Sequence, residues 1–194
     1  MKQDIILAGV GGQGILSIAY VIDNAALNEG FQFKQAEVHG MAQRGGAVQS
    51  HLRISDEPVF SDLIPKGKAD LLLSVEPLET LRYIDFLSPD GVIVTSRSPH
   101  VNIPDYPDLE EVLRIVRKAS KSVIVDSKAL AEEAGASRAQ NMVMLGAASP
   151  FLRLSVESLR THIRALFLSR GEKLVDINLK AFTLGQQSGP SQRK

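Results

Sequence analysis

The feature that most constrains this chain is an apolar run that passes through a glycine-rich turn into a helix with few charges. Residues 5–10 have the length and the bounding glycines of a buried strand. The turn GVGGQG occupies residues 9–14, and residues 15–27 follow as an apolar helical segment. Glycines allow a sharp turn and a close approach to the backbone. They also leave the N–H groups and the positive dipole end of the helix N-terminus bare, which is typical of an anion-binding turn.

A second glycine-containing loop follows the next predicted strand, residues 31–38. Ligands of open α/β sheets bind at the carboxyl edge of the strands, and two strands that end beside each other bring both loops to that edge. Arg44 offers a planar donor fork for a carboxylate or a phosphate, and Gly45-Gly46 allows backbone N–H groups to face a ligand. The alternative is a glycine turn with a solvated arginine, and His39 is expected to be a hydrogen-bonding loop residue. We predict a binding site formed by Gly11, Gly12, Gln13 and Gly14 of the first loop and by His39, Met41, Gln43, Arg44, Gly45 and Gly46 of the second.

The order of strand and helix patterns predicts an α/β fold: a single doubly wound, mostly parallel sheet with flanking helices, Rossmann-like, with a helical C-terminal third. The loop at residues 39–46 is too short for a parallel crossover. The strand at residues 47–54 should therefore turn back antiparallel or leave the main sheet. Helices are predicted at about residues 78–87 and at residues 109–119, where apolar residues recur at helical spacing. Ser155 is predicted to cap a helix at residues 156–169. Pro89-Asp90-Gly91 predicts a turn before a strand at residues 92–95. We expect one domain at residues 1–187 and a disordered tail at residues 188–194.

Composition excludes several classes of function. The chain has 194 residues, with 22 Lys and Arg against 22 Asp and Glu, which gives no charge-based reason to expect a nucleic-acid or membrane partner. It has no cysteine, so it holds no disulfide, no thiolate-bound iron–sulfur cluster and no cysteine nucleophile. The N-terminus has no cleavage site, and we expect a cytoplasmic protein. The four histidines have no metal-ligand spacing, and His51 is expected on the exposed face of a strand.

The turn at residues 9–14 also fits the G-x-G-x-x-G pattern of dinucleotide-binding folds. Glu37 lies near the distance at which such folds place an acidic residue for the ribose. The extra glycine at position 12 departs from the usual pattern, and no second half is evident for the nicotinamide side of a cofactor. A free-standing NAD-binding oxidoreductase is therefore an alternative.

Two segments together carry a resemblance to a known family. AGVGGQGILSIAYVIDNAAL and EVHGMAQRGGAVQSHLRIS resemble the gamma domain of the 2-oxoacid:ferredoxin oxidoreductases, and among its members most closely the beta subunits of indolepyruvate ferredoxin oxidoreductases. The strand ADLLLSVEPLETLR, the helix NMVMLGA and the closing N-L-K-A-F-x-L-G are also similar to that family. The resemblance thus covers nearly the whole chain.

The resemblance implies a subunit of an enzyme complex that oxidatively decarboxylates an aryl pyruvate, with coenzyme A as cosubstrate, to an acyl-CoA and reduced ferredoxin. Such chemistry uses thiamine diphosphate and iron–sulfur clusters. The chain shows neither cysteines nor the glycine–aspartate–glycine and paired-asparagine pattern of a thiamine diphosphate site. We expect both cofactors on a larger alpha subunit and none on this chain alone, with ferredoxin reached through the complex and a homodimer contact as a further option. The chain is not expected to be active alone, and a scaffold subunit without ligand contact is another alternative.

Overall fold

One six-stranded mixed sheet organises the protein. The computed structural model describes residues 1–39, 45–101 and 103–189. The strand order is β2-β3-β1-β4-β5-β6. β1, β4, β5 and β6 run parallel to one another, whereas β3 is antiparallel to both β1 and β2. The bounds are β1 Lys2–Val10, α1 Ile15–Asn28, β2 Gln32–His39, β3 Ala47–Ser55, β4 Ala69–Ser74, α2 Pro77–Tyr83, β5 Leu87–Ser96, α3 Leu109–Ala119, β6 Lys121–Val125, α4 Ser127–Ala134, α5 Gln140–Ala148, α6 Val156–Leu168 and α7 Glu172–Ser188.

Helices cover both faces of the sheet, because every second residue of the central strand enters a different core. Ile5 and Leu7 of β1 belong to the larger core, which also contains buried residues of α1, α4, α5, α6 and α7. Ile6 and Ala8 belong to the smaller core, which includes Val116 of α3. The alternation is that of a strand buried on both sides. The predicted doubly wound α/β fold with a helical C-terminal third is confirmed.

The two-strand insertion β2–β3 determines where the glycine loops lie. β3 turns back antiparallel after the 39–46 loop, as its short length predicted, and it pairs with β1 from Lys2↔Ser55 to Val10↔Ala47. β3 therefore separates β1 from β2, whereas the sequence placed the ends of the first two strands side by side. Because β3 is antiparallel to both neighbours, β1 and β2 still point in the same direction. Both loops thus leave the same edge of the sheet.

The contact between α5 and α7 is a close backbone crossing at two glycines. A Cβ atom added to Gly146 of α5 would lie 2.0 Å from the carbonyl oxygen of Phe182, and one added to Gly185 of α7 would lie 1.9 Å from that of Val143. No side chain fits at such distances, so the two helices approach each other as closely as they do only because both positions are glycine. α5 is buried along its length apart from Gln140. The C-terminal third is thereby attached to the sheet through α5.

Two predicted boundaries in the middle of the chain are wrong. Pro89-Asp90-Gly91 does not form a turn ahead of a strand but lies inside β5, where the pairing with β4 jumps from Ala69↔Leu87 to Leu71↔Val92. This irregularity accommodates the proline, which cannot donate to a regular ladder. The helix predicted to reach residue 87 ends as α2 at Tyr83, and residues 84–86 form a 3₁₀ turn.

Two further expectations are also wrong. His51 is 3% exposed rather than on an open strand face, because the segment after β3 folds back over it. Its Nδ1 accepts the backbone N–H of Ile64, and its ring meets Phe86 edge to face. Ser188, predicted as the first residue of the tail, is instead the last residue of α7, and residues 190–194 lie outside the described part of the chain. Within the described residues, no helix has both the length and the apolar character to cross a membrane.

Candidate functional site

The turn between β1 and α1 is closed by one of its own side chains. Oε1 of Gln13 accepts the backbone N–H of Val10 at 2.8 Å, and the backbone N–H of Gln13 donates to the carbonyl of Val10 at 3.0 Å. Gly14 caps α1 in the left-handed conformation (φ 78°), without a side-chain cap and without an acidic residue in the first helical turn. The N-terminal end of α1 is therefore a bare positive dipole end suited to an anion.

The structure joins the two glycine loops through their backbones. The N–H of Gly11 donates to the carbonyl of Gly46 at 2.8 Å, and the N–H of Gly45 donates to the carbonyl of Gly11 at 3.2 Å. His39 is the last residue of β2, and its backbone pairs with Val48. The predicted site residues Met41, Gln43 and Arg44 lie outside the described residues. The described part of the second loop thus lies directly against the first.

A crevice of about 410 Å³ opens at the carboxyl ends of β1 and β4. The strands that follow β1 lie on both sides of it, with β2 and β3 on one side and β4, β5 and β6 on the other. The crevice therefore lies where the strand order reverses, which is the switch point at which open α/β sheets bind ligands. One wall is the glycine turn, and the others come from residues after β4, after β5 and around the start of α5. The lining residues are Gly11, Gly12, Gln13, Gly14, Val75, His100, Ser137, Arg138, Gln140 and Asn141.

Asn141 connects the first turn of α5 to the glycine turn. Its Nδ2 donates to the carbonyl of Gly14 at 3.3 Å, and its Oδ1 accepts the backbone N–H of Met142 at 3.0 Å. A Cβ atom on Gly14 would lie 2.4 Å from the Asn141 side chain, and the positive φ at this position adds strain for any other residue. The carboxyl edge of β1 and the start of α5 therefore form one tightly fitted wall.

Glu76, directly after β4, fixes the loop that carries His100 into the crevice. The carboxylate is 1% exposed. Its Oε2 accepts the N–H of Glu79 at 2.8 Å, which caps α2. Its Oε1 accepts the hydroxyl of Tyr106 at 2.5 Å and the backbone N–H of His100 at 3.3 Å. Burial, followed by this bond to Glu76, raises the pKa of Tyr106 above its ordinary value, so the phenol stays protonated and donates.

A smaller cavity of about 280 Å³ lies against the glycine turn and includes Glu37 of β2 together with Leu16 of α1. The dinucleotide alternative predicts an acidic residue near the turn. The strand order does not match that alternative, since a dinucleotide fold places its second strand beside the first, whereas the antiparallel β3 separates them here. In the described residues, no group of three or more His, Cys, Asp or Glu is arranged to hold a metal ion.

Sequence reasoning identified the glycine turn but missed the opposite walls of the crevice. Val75 and His100 follow strands that were predicted, so the rule that ligands bind at carboxyl edges could have selected them. Ser137, Arg138 and Gln140 gave no such signal, because they lie more than 120 residues from the turn and reach it only through the packing of α4 and α5.

The sequence matches a characterised family over almost its whole length. The profile of the family "Pyruvate ferredoxin/flavodoxin oxidoreductase" matches residues 4–188. "Indolepyruvate oxidoreductase subunit IorB" of Pyrococcus horikoshii is 42% identical over 196 residues, which cover 95% of both chains. The protein of the same name in Archaeoglobus fulgidus is 37% identical over 202 residues, covering 100% of this chain and 98% of that one.

Solved structures share the fold at lower identity. A 2-oxoglutarate:ferredoxin oxidoreductase from Magnetococcus marinus, with 2-oxoglutarate, coenzyme A and succinyl-CoA bound, superposes with a TM-score of 0.79 at 23% identity, over 96% of this chain and 31% of that chain. The pyruvate oxidoreductase subunit PORC from Thermotoga maritima superposes with a TM-score of 0.73 at 22% identity, over 96% of each chain. These structures share the fold described above.

Proposed function

Because the chain belongs to the pyruvate ferredoxin/flavodoxin oxidoreductase family and is a small subunit of a 2-oxoacid:ferredoxin oxidoreductase, we propose that its crevice completes the active site on a larger subunit. The substrate we propose is an aryl pyruvate of the indolepyruvate type. The reaction releases CO₂, transfers the acyl group to coenzyme A and passes two electrons to ferredoxin. The observation that carries the proposal is the switch-point crevice, which the first glycine loop and the bare end of α1 line. The described part of the second loop is bonded to this first loop at Gly11.

The residues of this chain do not fit the iron–sulfur clusters or the thiamine diphosphate of the reaction. Iron–sulfur clusters are held by cysteine thiolates, and none of the 194 residues is a cysteine. We therefore assign the clusters to the larger subunit. Because the sequence also lacks the glycine–aspartate–glycine and paired-asparagine pattern of a thiamine diphosphate site, we assign that cofactor to the larger subunit as well, in a complex located in the cytoplasm. The task that remains for this chain is to bind and orient an anionic ligand and to close the site against water.

Coenzyme A is the ligand that best matches the crevice. It carries phosphate groups, which suit a helix N-terminus and backbone N–H donors. The site residues we propose are Gly11, Gly12, Gln13 and Gly14, with His39, Met41, Gln43, Arg44, Gly45 and Gly46 from the second loop. Gln13 contributes by holding the turn closed rather than by contact alone, since its Oε1 is engaged by Val10.

Arg44 provides the test of this assignment in the reconstituted complex. We expect Arg44→Ala to lower turnover more than tenfold, a loss of more than ~1.4 kcal/mol of transition-state stabilisation. Arg44→Lys should also be impaired, because it keeps the charge and loses the planar fork. Arg164→Ala is the matched control, since Arg164 pairs with Glu172 on α6 and α7, away from the crevice. Wild-type turnover in Arg44→Ala, or a drop in melting temperature that accounts for the loss, would contradict the site.

The larger subunit, in our proposal, covers the outward side of α1. Leu16, Tyr20 and Leu27 are 49%, 43% and 55% exposed and follow one another along that side. Leu16 also lines the smaller cavity beside the glycine turn, so whatever covers this stripe also reaches that turn. Because the site needs cofactors that this chain does not hold, we assign the larger subunit, rather than a second copy, to this face.

Replacing Tyr20 with Glu tests the proposed contact. A buried charge without a partner opposes association, so we expect the affinity for the larger subunit to fall more than tenfold in sedimentation or calorimetry. Lys118→Glu on α3, across the sheet, changes an exposed charge and should leave affinity intact. If Tyr20→Glu instead abolishes self-association and leaves the larger complex unchanged, the stripe is a homodimer contact and the assignment is wrong.

A further inference from the structure

A third cavity of about 240 Å³ adjoins the crevice, and two arginines line it. It lies between the segment before α5, the turn joining α6 to α7, and the first helical turn of α1. Arg138 and Asn141 line both this cavity and the crevice, so the two spaces share a wall. Arg170, which follows α6, and Ser17 of α1 line the third cavity only. A ligand longer than the crevice could therefore extend past Arg138 into this space.

Neither arginine is neutralised within the described residues. Arg53, Arg82, Arg97, Arg114, Arg117 and Arg164 each form an ion pair with an Asp or a Glu. Arg138 and Arg170 form no ion pair or side-chain hydrogen bond in that part of the chain, and no acidic residue lines their cavity. Arg153 and Arg160 have no acidic partner either, but they line neither space, and Arg160 donates to Thr183. The third cavity thus concentrates two uncompensated positive charges.

The chemistry of the lining favours a phosphate group. A guanidinium presents parallel N–H donors that match two oxygens of a phosphate, and its charge is retained at any physiological pH. The hydroxyl of Ser17 adds a neutral donor, while Phe167 and Leu174 supply an apolar wall without competing charge. Both arginines are exposed, so a neutral ligand would leave their charges unneutralised, and a metal cation would be repelled by them.

We propose that this cavity is an anion subsite in which Arg138 and Arg170 bind a phosphate group of the same ligand that occupies the crevice. The inference rests on the proposed function and deepens it, because coenzyme A carries two kinds of phosphate, the diphosphate bridge and the 3′-phosphate of its ribose. Arg138, on the shared wall, holds the ligand where it passes from one space to the other. Arg170 contacts only the part that enters the third cavity.

The assay is turnover of the reconstituted complex with coenzyme A, 3′-dephospho-coenzyme A and pantetheine, which lacks both kinds of phosphate. In Arg138→Ala and Arg170→Ala we expect kcat/KM for coenzyme A to fall at least tenfold, with pantetheine unchanged. If the alanine variants keep the wild-type kcat/KM for 3′-dephospho-coenzyme A, the group that the arginines bind is the 3′-phosphate. If that kcat/KM falls as much as the value for coenzyme A, the group is the diphosphate. Arg170→Lys should be intermediate, and Arg164→Ala, which removes a paired arginine of the neighbouring helix, should match the wild type.

Calorimetric titration of the same complexes with pyrophosphate decides the subsite independently of turnover. We expect pyrophosphate to bind the wild type and Arg164→Ala with equal affinity and the two alanine variants at least fivefold more weakly. Equal binding by all four proteins, or no binding by the wild type, overturns the subsite. A fall in kcat/KM for pantetheine as large as the fall for coenzyme A also overturns the subsite, because it would show that the variants are impaired irrespective of phosphate. A wild-type complex that binds pyrophosphate but does not use coenzyme A refutes the proposed function alone.

Discussion

Asp23 of α1 provides a sharp test of how burial sets the energetics of this fold. Asp23 is 4% exposed, and its Oδ1 has no hydrogen-bond partner among the described residues. Removal from water disfavours the charged carboxylate, so burial raises the pKa of Asp23 from 3.8 to about 7. A folded-state pKa above the unfolded value means that the native protein binds the proton more tightly. The stability contributed by this proton is therefore complete below about pH 4 and is lost as the pH rises through 7.

The size of the effect follows from the shift of the pKa. A difference of about three units corresponds to about 4 kcal/mol at a pH above both pKa values. About 2–3 kcal/mol of that loss falls between pH 5 and pH 8, a sizeable part of the 5–15 kcal/mol by which domains are usually stable. Asp23→Asn has nearly the same shape and cannot ionise. We expect the free energy of unfolding of the variant, relative to that of the wild type, to rise by about 2–3 kcal/mol from pH 5 to pH 8.

Denaturant unfolding of the isolated chain at several pH values measures this difference. Burial lowers the pKa of His51, which adds its own pH dependence of opposite sign, but that contribution is common to both proteins and cancels in the difference. Asp176→Asn is the control, because Asp176 lies on the exposed side of α7. Parallel stability curves for wild type and Asp23→Asn would refute the reasoning, since they would show that Asp23 is not ionised at a cost in the native state.

Two further predictions concern contacts that hold the site in place. Gly185→Ala should destabilise the chain by more than ~2 kcal/mol in thermal or denaturant unfolding, because the added methyl group would lie 1.9 Å from the carbonyl oxygen of Val143. The control is Gln187→Ala on the exposed side of the same helix, which should have little effect on stability. Tyr106→Phe removes the 2.5 Å hydrogen bond to Glu76 and should lower the free energy of unfolding by about 1–2 kcal/mol. It should also speed proteolysis between β5 and α3, and an unchanged cleavage rate would show that this bond does not anchor the loop.

Local sequence patterns predicted the elements whose stability is local. α3 lies at the predicted residues 109–119, because its apolar residues recur at helical spacing and the Asp108 carboxylate caps it by accepting the N–H of Glu111. Ser155 caps α6 as expected, through the N–H of Ser158. The turn after β1 was identified by its glycines alone. In each case the decisive contacts join residues only a few positions apart.

The errors concern residues whose environment is built by distant segments. The alternation of β3 places His51 on a face that looks open, yet the chain near Ile64 returns to cover it. Pro89 and Gly91 usually indicate a turn, but an irregular register with β4 keeps them within a strand. Arg138 lies outside any motif, and only the packing of α4 and α5 brings it to the glycine turn. No periodicity or short motif records contacts of this kind.

The helical C-terminal third is part of the site because it fixes the wall opposite the glycine turn. α5 begins at the crevice, where Asn141 binds the carbonyl of Gly14, and one helical turn further on it meets α7 through backbone contact at Gly146 and Gly185. Close-packed backbones cannot slide without a large penalty, since no flexible side chain separates them. A displacement of α7 would therefore move α5 and widen the gap at Gly14. Sequence changes in α7, far from any ligand, should thus affect ligand binding as well as stability.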